Sequence, residues 1–183
     1  TLCMLGNYQI DHPIVIAPAA GAPLARGVLL EGGPSAQPDA TISCDALFSG
    51  TTGGAIEHTG MLEFSRFARV ELRGLSLHAH GRAETCLLVA TSLATDRADS
   101  LITLSGCTFE GAREQQVYVR DTSASDGGAG VVSARVRGCS VRLDNKADVV
   151  LDALDRSQST GLLVEGAFRV SVMVLDSIFD GYF

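Results

Sequence analysis

Ile102-Thr103-Leu104-Ser105-Gly106-Cys107-Thr108-Phe109 decides the reading of the whole chain. Apolar residues stand two apart before the glycine, at 102 and 104, and then one and three residues after it, at 107 and 109. A period of two belongs to a strand, whose side chains alternate between faces. The phase slips at Gly106, so one strand must bend into the next there while its apolar set stays on one side. Glycine suits such a bend because it accepts positive φ at little cost.

The pattern returns. Val70-Glu71-Leu72-Arg73-Gly74-Leu75-Ser76-Leu77, Ala134-Arg135-Val136-Arg137-Gly138-Cys139-Ser140-Val141 and Val172-Met173-Val174-Leu175-Asp176-Ser177-Ile178-Phe179 are further copies, and Val28-Leu29-Leu30-Glu31-Gly32 is a weaker one. Gly74, Gly106 and Gly138 lie 32 residues apart, with flanking steps of 42 from Gly32 and 38 to Asp176. Aspartate enters the left-handed region more readily than most residues, which fits it for the last bend. A second strand is expected 11 residues after each glycine, at Thr85-Cys86-Leu87, Val117-Tyr118-Val119 and Val149-Val150-Leu151. The stretches between are turn-rich and variable, as in Ser123-Ala124-Ser125-Asp126-Gly127-Gly128-Ala129-Gly130. Each unit therefore carries about three short strands.

Such a unit cannot bury its apolar face alone, but stacked units share a continuous core. The expectation is a solenoid with parallel strands about 4.8 Å apart. Equivalent residues then form ladders: Leu75, Cys107, Cys139 and Ser177 in one inward row, and Leu77, Phe109, Val141 and Phe179 in another. The five cysteines, Cys3, Cys44, Cys86, Cys107 and Cys139, are widely spaced and contain no CxxC, so buried free thiols are expected. Cys107 and Cys139 become stacked neighbours, read as a thiol ladder because bond torsion constrains in-register pairs. A leucine-rich solenoid lacks its asparagine ladder here, since Asn occurs only at 7 and 145. A β-sandwich is disfavoured by the fixed register.

These repeats resemble the right-handed parallel β-helix superfamily of pectin-lyase-like proteins. The opening Thr1-Leu2-Cys3-Met4-Leu5-Gly6-Asn7-Tyr8-Gln9-Ile10-Asp11-His12-Pro13-Ile14-Val15-Ile16 is similar to the first coil of many members, in which a strand leads through Gly-x-Tyr to an apolar-Pro-apolar strand. The resemblance implies an all-β, right-handed parallel β-helix solenoid of about five to six coils. Residues 1–183 are read as a single β-helix domain, with coils at approximately 1–32, 33–74, 75–106, 107–138 and 139–176 and the start of another at 177–183. It also implies where chemistry would sit, on an outward strand face or the adjoining groove. Members include lyases, hydrolases, epimerases, tailspikes, adhesins and plain surface proteins, so the fold does not name an activity.

Composition narrows the classes. With 21 acidic and 14 basic residues the net charge is −7, which argues against a general nucleic-acid binder. No apolar run approaches the roughly 18 residues of a membrane helix. An apolar fraction of 46% with mixed charge excludes a disordered chain. Thr1 follows no initiator Met or signal segment, so the chain is expected to be processed, excised or part of a longer protein.

The lyases of the resembled superfamily use a Lys or Arg base near acidic calcium ligands, and its hydrolases use clustered aspartates. Neither arrangement is evident, and no catalytic residue is assigned. On the second strand the outward rows are read as Cys86, Tyr118, Val150 and Leu88, Arg120, Asp152, with Arg120 beside Asp152 as a surface ion pair. On the glycine-bend strands, Arg73 and Arg137 occupy equivalent positions with Ser105 between them; Arg135, Glu71 and Thr103 share the next row, and Arg69 lies nearby. Arg69, Arg73, Arg135, Arg137 and Arg120 form the candidate basic set, suited to the carboxylates of an acidic glycan or of a partner. Asp144, Asp148 and Asp152, with Asp155 close in sequence, are the candidate metal ligands. Calcium is the ion their oxygens would take, and no other cofactor is expected. His78 and His80 point to one strand face, with Glu57, His58 and Glu84 considered as neighbours, but no third ligand is placed. Phe179, Tyr182 and Phe183 form an apolar end through which copies or partners could associate.

The function expected from these readings is a non-catalytic glycan-binding or structural module of a secreted or cell-surface protein, extracellular in location, with polysaccharide as partner. The alternatives are a polysaccharide lyase or epimerase acting on an acidic glycan, and an assembly subunit docking through its apolar C-terminal end.

Overall fold

A computed structural model describes residues 1–18, 26–32, 40–44, 60–91, 99–121, 131–143, 160–165 and 169–181. The alternation read from the central repeat is the one that forms. Strand β10 (Ser100–Ser105) alternates buried and half-buried side chains along its length. Among the described residues there are 17 strands and no helix, numbered here along the chain.

The strands stack into three sheets. Sheet A holds β1 (Leu2–Met4), β4 (Val28–Gly32), β7 (Arg69–Arg73), β10, β13 (Val131–Arg137) and β16 (Arg169–Leu175), in that order. Sheet B holds β2 (Asn7–Ile10), β5 (Ala40–Cys44), β8 (Leu75–His78), β11 (Thr108–Glu110), β14 (Ser140–Arg142) and β17 (Ile178–Asp180). Sheet C holds β3 (Ile14–Ile16), β6 (Gly60–Ser65), β9 (Thr85–Thr91), β12 (Gln115–Asp121) and β15 (Thr160–Glu165). Every described pairing is parallel and joins a strand to its counterpart one coil away. The chain is an all-β parallel solenoid of about five to six coils, the last of them represented among the described residues by β16 and β17.

The inward rows of sheets A and B follow the repeat. Leu30, Leu72, Leu104, Val136 and Val174 align across sheet A. Tyr8, Ile42, Leu77, Phe109, Val141 and Phe179 align across sheet B. Ile42, Leu72, Leu77, Leu104 and Phe109 are at most 1% exposed, so the middle coils share one apolar core.

The bends between sheets A and B are left-handed at Gly74 (φ 57°), Gly106 (60°) and Gly138 (60°), and Asp176 adopts the same conformation (49°). Gly32 serves differently. A Cβ there would lie 1.9 Å from the Gly74 carbonyl oxygen, so this glycine permits close approach of two backbones.

The position after each bend carries a second device. The Cys107 amide donates to Cys139 Sγ at 3.5 Å, and the Cys139 amide donates to Ser177 Oγ at 3.1 Å. Each of these side chains also donates to the carbonyl two residues earlier: Cys107 to Ser105, Cys139 to Arg137 and Ser177 to Leu175. The row is a spine of thiols and a hydroxyl, and all five cysteines are free. Hydrogen bonding from Cys107 draws the Cys139 thiol down, whereas the adjoining Cys139 and burial push Cys107 up.

Sheet C departs from the expected register. Gln115, not Val117, pairs with Thr85, and Tyr118 pairs with Leu88. The cause is the turn from sheet B. Glu110 pairs with His78, but Gln115 follows Glu110 by five residues whereas Thr85 follows His78 by seven. The longer turn contains two left-handed residues, His80 (φ 49°) and Gly81 (70°), against Gly111 (80°) in the shorter one. The rows read from sequence as Cys86, Tyr118, Val150 and Leu88, Arg120, Asp152 are therefore corrected to Leu88, Tyr118, Leu163 and Ala90, Arg120, Glu165. The partner of β12 is β15, while Val149–Leu151 lies outside the described residues. Cys86 is buried in the core rather than outward. Beside it, fully buried Gln116 accepts from the Ala112 amide and donates to the Ala112 carbonyl, both at 3.1 Å. A side chain that could cost free energy by burial thus satisfies two backbone groups at the turn.

Candidate functional site

The outer face of sheet A carries a groove of about 720 Å³. Four strands line it in order: Glu71 and Arg73 from β7, Thr103 and Ser105 from β10, Arg135 and Arg137 from β13, and Met173 and Leu175 from β16. The register explains the assembly. Thr103 pairs with Glu71 on one side and Arg135 on the other, and Ser105 pairs with Arg73 and Arg137. Met173 and Leu175 continue the same two rows. Alternation sends their neighbours Leu72, Leu104 and Val136 into the core, so the outward side chains rest on a rigid floor.

The arginines differ in what holds them. Arg73 donates from Nε to Glu71 Oε1 at 2.8 Å, with Nη2 against the same oxygen and Glu31 within 3.9 Å of Nη1. The Glu71 contact holds its guanidinium above the usual arginine range. Arg135 and Arg137 are exposed and have no ion pair or side-chain hydrogen bond among the described residues. Their charge is offered outward, on a chain whose net charge is −7.

The candidate basic set is thus only partly brought together. Arg73, Arg135 and Arg137 line the groove, whereas Arg69 is exposed at the start of β7 and outside the lining. Arg120 lies on sheet C, paired in register with Glu165 rather than read beside Asp152. On that sheet the Tyr118 hydroxyl donates to Glu165, and burial and this carboxylate push the phenol up to about 12. The groove's apolar members, Met173 and Leu175, escaped sequence reasoning, although their place in the repeat after Arg135 and Arg137 was the available signal.

The other candidates resolve separately. Asp144, Asp148, Asp152 and Asp155 lie outside the described residues, as do Tyr182 and Phe183. Phe179 is 39% exposed in the last described coil. His78 and His80 stack with ring centroids 6.0 Å apart, and His78 Nδ1 lies 3.3 Å from Glu110 Oε2. Glu84 faces Arg113 at 3.7 Å, while Glu57 and His58 are outside the described residues. Among the described residues no group of three or more His, Cys, Asp or Glu is placed to hold a metal ion. Among the described residues no helix is long and apolar enough to cross a membrane.

The chain matches no family model, no curated protein and no solved structure.

Proposed function

We propose that this chain is a non-catalytic, acidic-glycan-binding β-helix module of a secreted or cell-surface protein, with its site on the outer face of sheet A. The observation that carries the reading is the pair Arg135 and Arg137, exposed, without partners among the described residues, and set beside Thr103 and Ser105 in an open groove. Guanidinium groups grip carboxylates and sulfates through paired hydrogen bonds, and neighbouring hydroxyls can serve sugar oxygens. Stacking along a solenoid repeats these donors at about 4.8 Å intervals, which suits an extended polymer better than a compact ligand.

Titration calorimetry with oligogalacturonate and a neutral oligosaccharide of equal length tests it. Binding of the acidic oligomer alone, abolished by Arg135→Gln with Arg137→Gln and weakened by salt, is the expected result. Equal affinity for both oligomers, or binding untouched by the double substitution, overturns the site. Absorbance of unsaturated products during the titration would replace binding with lyase chemistry.

A further inference from the structure

Crossing the groove from β7 to β16, the side chains change in a fixed order. A neutralised ion pair, Glu71 with Arg73, is followed by hydroxyls, then by unpartnered cations, then by Met173 and Leu175. Arg135 is the register partner of Met173, and Arg137 of Leu175. Each cation without a partner among the described residues therefore has an apolar side chain about 4.8 Å away on the next strand. Met173 and Leu175 both line the groove. A ligand that was only charged would satisfy the arginines and leave this apolar wall in water. A ligand that was only apolar would leave two guanidinium groups beside it without an anion.

We infer that the groove takes an amphiphilic anion, in which a carboxylate or sulfate lies on Arg135 and Arg137 and an attached apolar group covers Met173 and Leu175. The inference rests on the proposal that this groove is the binding site, and it adds an apolar group to the anion bound there. An acidic sugar bearing an alkyl or acyl substituent has that chemistry, and so does a simple fatty carboxylate. The Glu71–Arg73 pair closes the opposite side, so the anion is directed to the β13 side of the hydroxyl floor.

Four probes separate the terms, each titrated below its micellar concentration: glucuronate, octyl glucuronide, octyl glucoside and octanoate. A buried methylene is worth about fourfold in affinity, so even partial cover of the octyl chain predicts octyl glucuronide at least tenfold tighter than glucuronate. Octyl glucoside, which lacks the charge, is expected to bind at least tenfold more weakly than octyl glucuronide. Met173→Ser with Leu175→Ser should remove the advantage of the octyl chain and leave glucuronate unchanged. Arg137→Gln should weaken both acidic ligands. Octanoate as tight as octyl glucuronide supports the inference with a fatty carboxylate as ligand and overturns the glycan reading, whereas a preference for the glucuronide supports both, with a substituted acidic glycan as ligand. Equal binding of glucuronate and octyl glucuronide overturns the inference and leaves the glycan reading standing. Equal binding of octyl glucoside and octyl glucuronide overturns both, and so does silence from all four probes and from oligogalacturonate. Far-UV circular dichroism of each variant confirms that the sheets are retained, and these outward substitutions leave the core rows untouched.

Discussion

Gly138→Ala isolates the energetic cost of one bend. Gly138 sits at φ 60°, and a Cβ added there meets nothing within 4 Å. No collision contributes, so the loss is that of an L-residue held in the left-handed region, about 1–2 kcal/mol. At about 2–4 °C per kcal/mol for a chain of this size, the melting temperature should fall by about 2–8 °C. Gly138→Asn should cost less, because asparagine tolerates this conformation better, as Asp176 does at φ 49° in the next bend. Gly32→Ala should cost more than either. Its Cβ would stand 1.9 Å from the Gly74 oxygen and 2.8 Å from the Gly74 carbonyl carbon, so two coils must separate to admit it. Overpacking by a methyl group typically costs about 1–3 kcal/mol, and a backbone obstacle cannot swing aside. Urea unfolding followed by circular dichroism, with midpoints compared at a common slope, gives the order directly. If Gly138→Ala proves as damaging as Gly32→Ala, or if asparagine at 138 is worse than alanine, the division between conformation and close approach is wrong.

Gln116→Leu keeps the volume but strips the Ala112 amide and carbonyl of their partner. At about 1–3 kcal/mol for each buried unsatisfied group, it should lose at least about 2 kcal/mol in the same unfolding experiment. Burial pushes Cys86 from 9.0 up to about 12, and burial with Glu165 pushes Tyr118 from 10.0 up to about 12. Both hold their protons more tightly when folded, so their contribution is complete below about pH 9 and is lost as pH rises towards about 12. Cys86→Ala should flatten that alkaline decline in unfolding midpoints, and an unchanged slope would remove Cys86 as its source. Glu71→Gln should leave the unfolding midpoint nearly unchanged, since Arg73 is exposed and solvent screens the pair. It also removes the nearer of the two carboxylates facing Arg73 and leaves Glu31 at 3.9 Å, so calorimetry should find tighter binding of oligogalacturonate; unchanged affinity would mean that Arg73 does not reach the ligand.

The solenoid and the registers of sheets A and B were legible because the repeat fixes both. Thr103 could be placed between Glu71 and Arg135, and Ser105 between Arg73 and Arg137, by counting from the glycines. The register of sheet C was not legible by that count. It depends on a turn whose length differs by two residues between coils, and left-handed His80 gives no signal comparable to glycine. Arg120 pairs with Glu165 rather than Asp152 for a different reason: Gln115 follows Glu110 by five residues, whereas its partner Thr160 follows Arg142 by 18. The arginine rows of the groove were readable from outward alternation. That Arg73 is neutralised while Arg135 and Arg137 are not depends on side-chain rotamers, which a one-dimensional pattern does not carry. The spine from Cys107 through Cys139 to Ser177 was readable as a row, but its hydrogen bonds were not, because they run from side chains to backbone, within a coil at all three positions and to the preceding coil at Cys139 and Ser177.

Gly106 and Gly138 share one backbone conformation and one position between the strands of sheets A and B. That equivalence makes the 32 residues between them an interchangeable segment in the genetic sense. Unequal recombination at these two points would add or remove a whole rung, and the sequence at each junction would still read as the same bend. Such an event would lengthen or shorten the groove by one strand without disturbing the chemistry of its neighbours. The reach of the binding face could thus change through duplication, with no need to invent a new fold boundary.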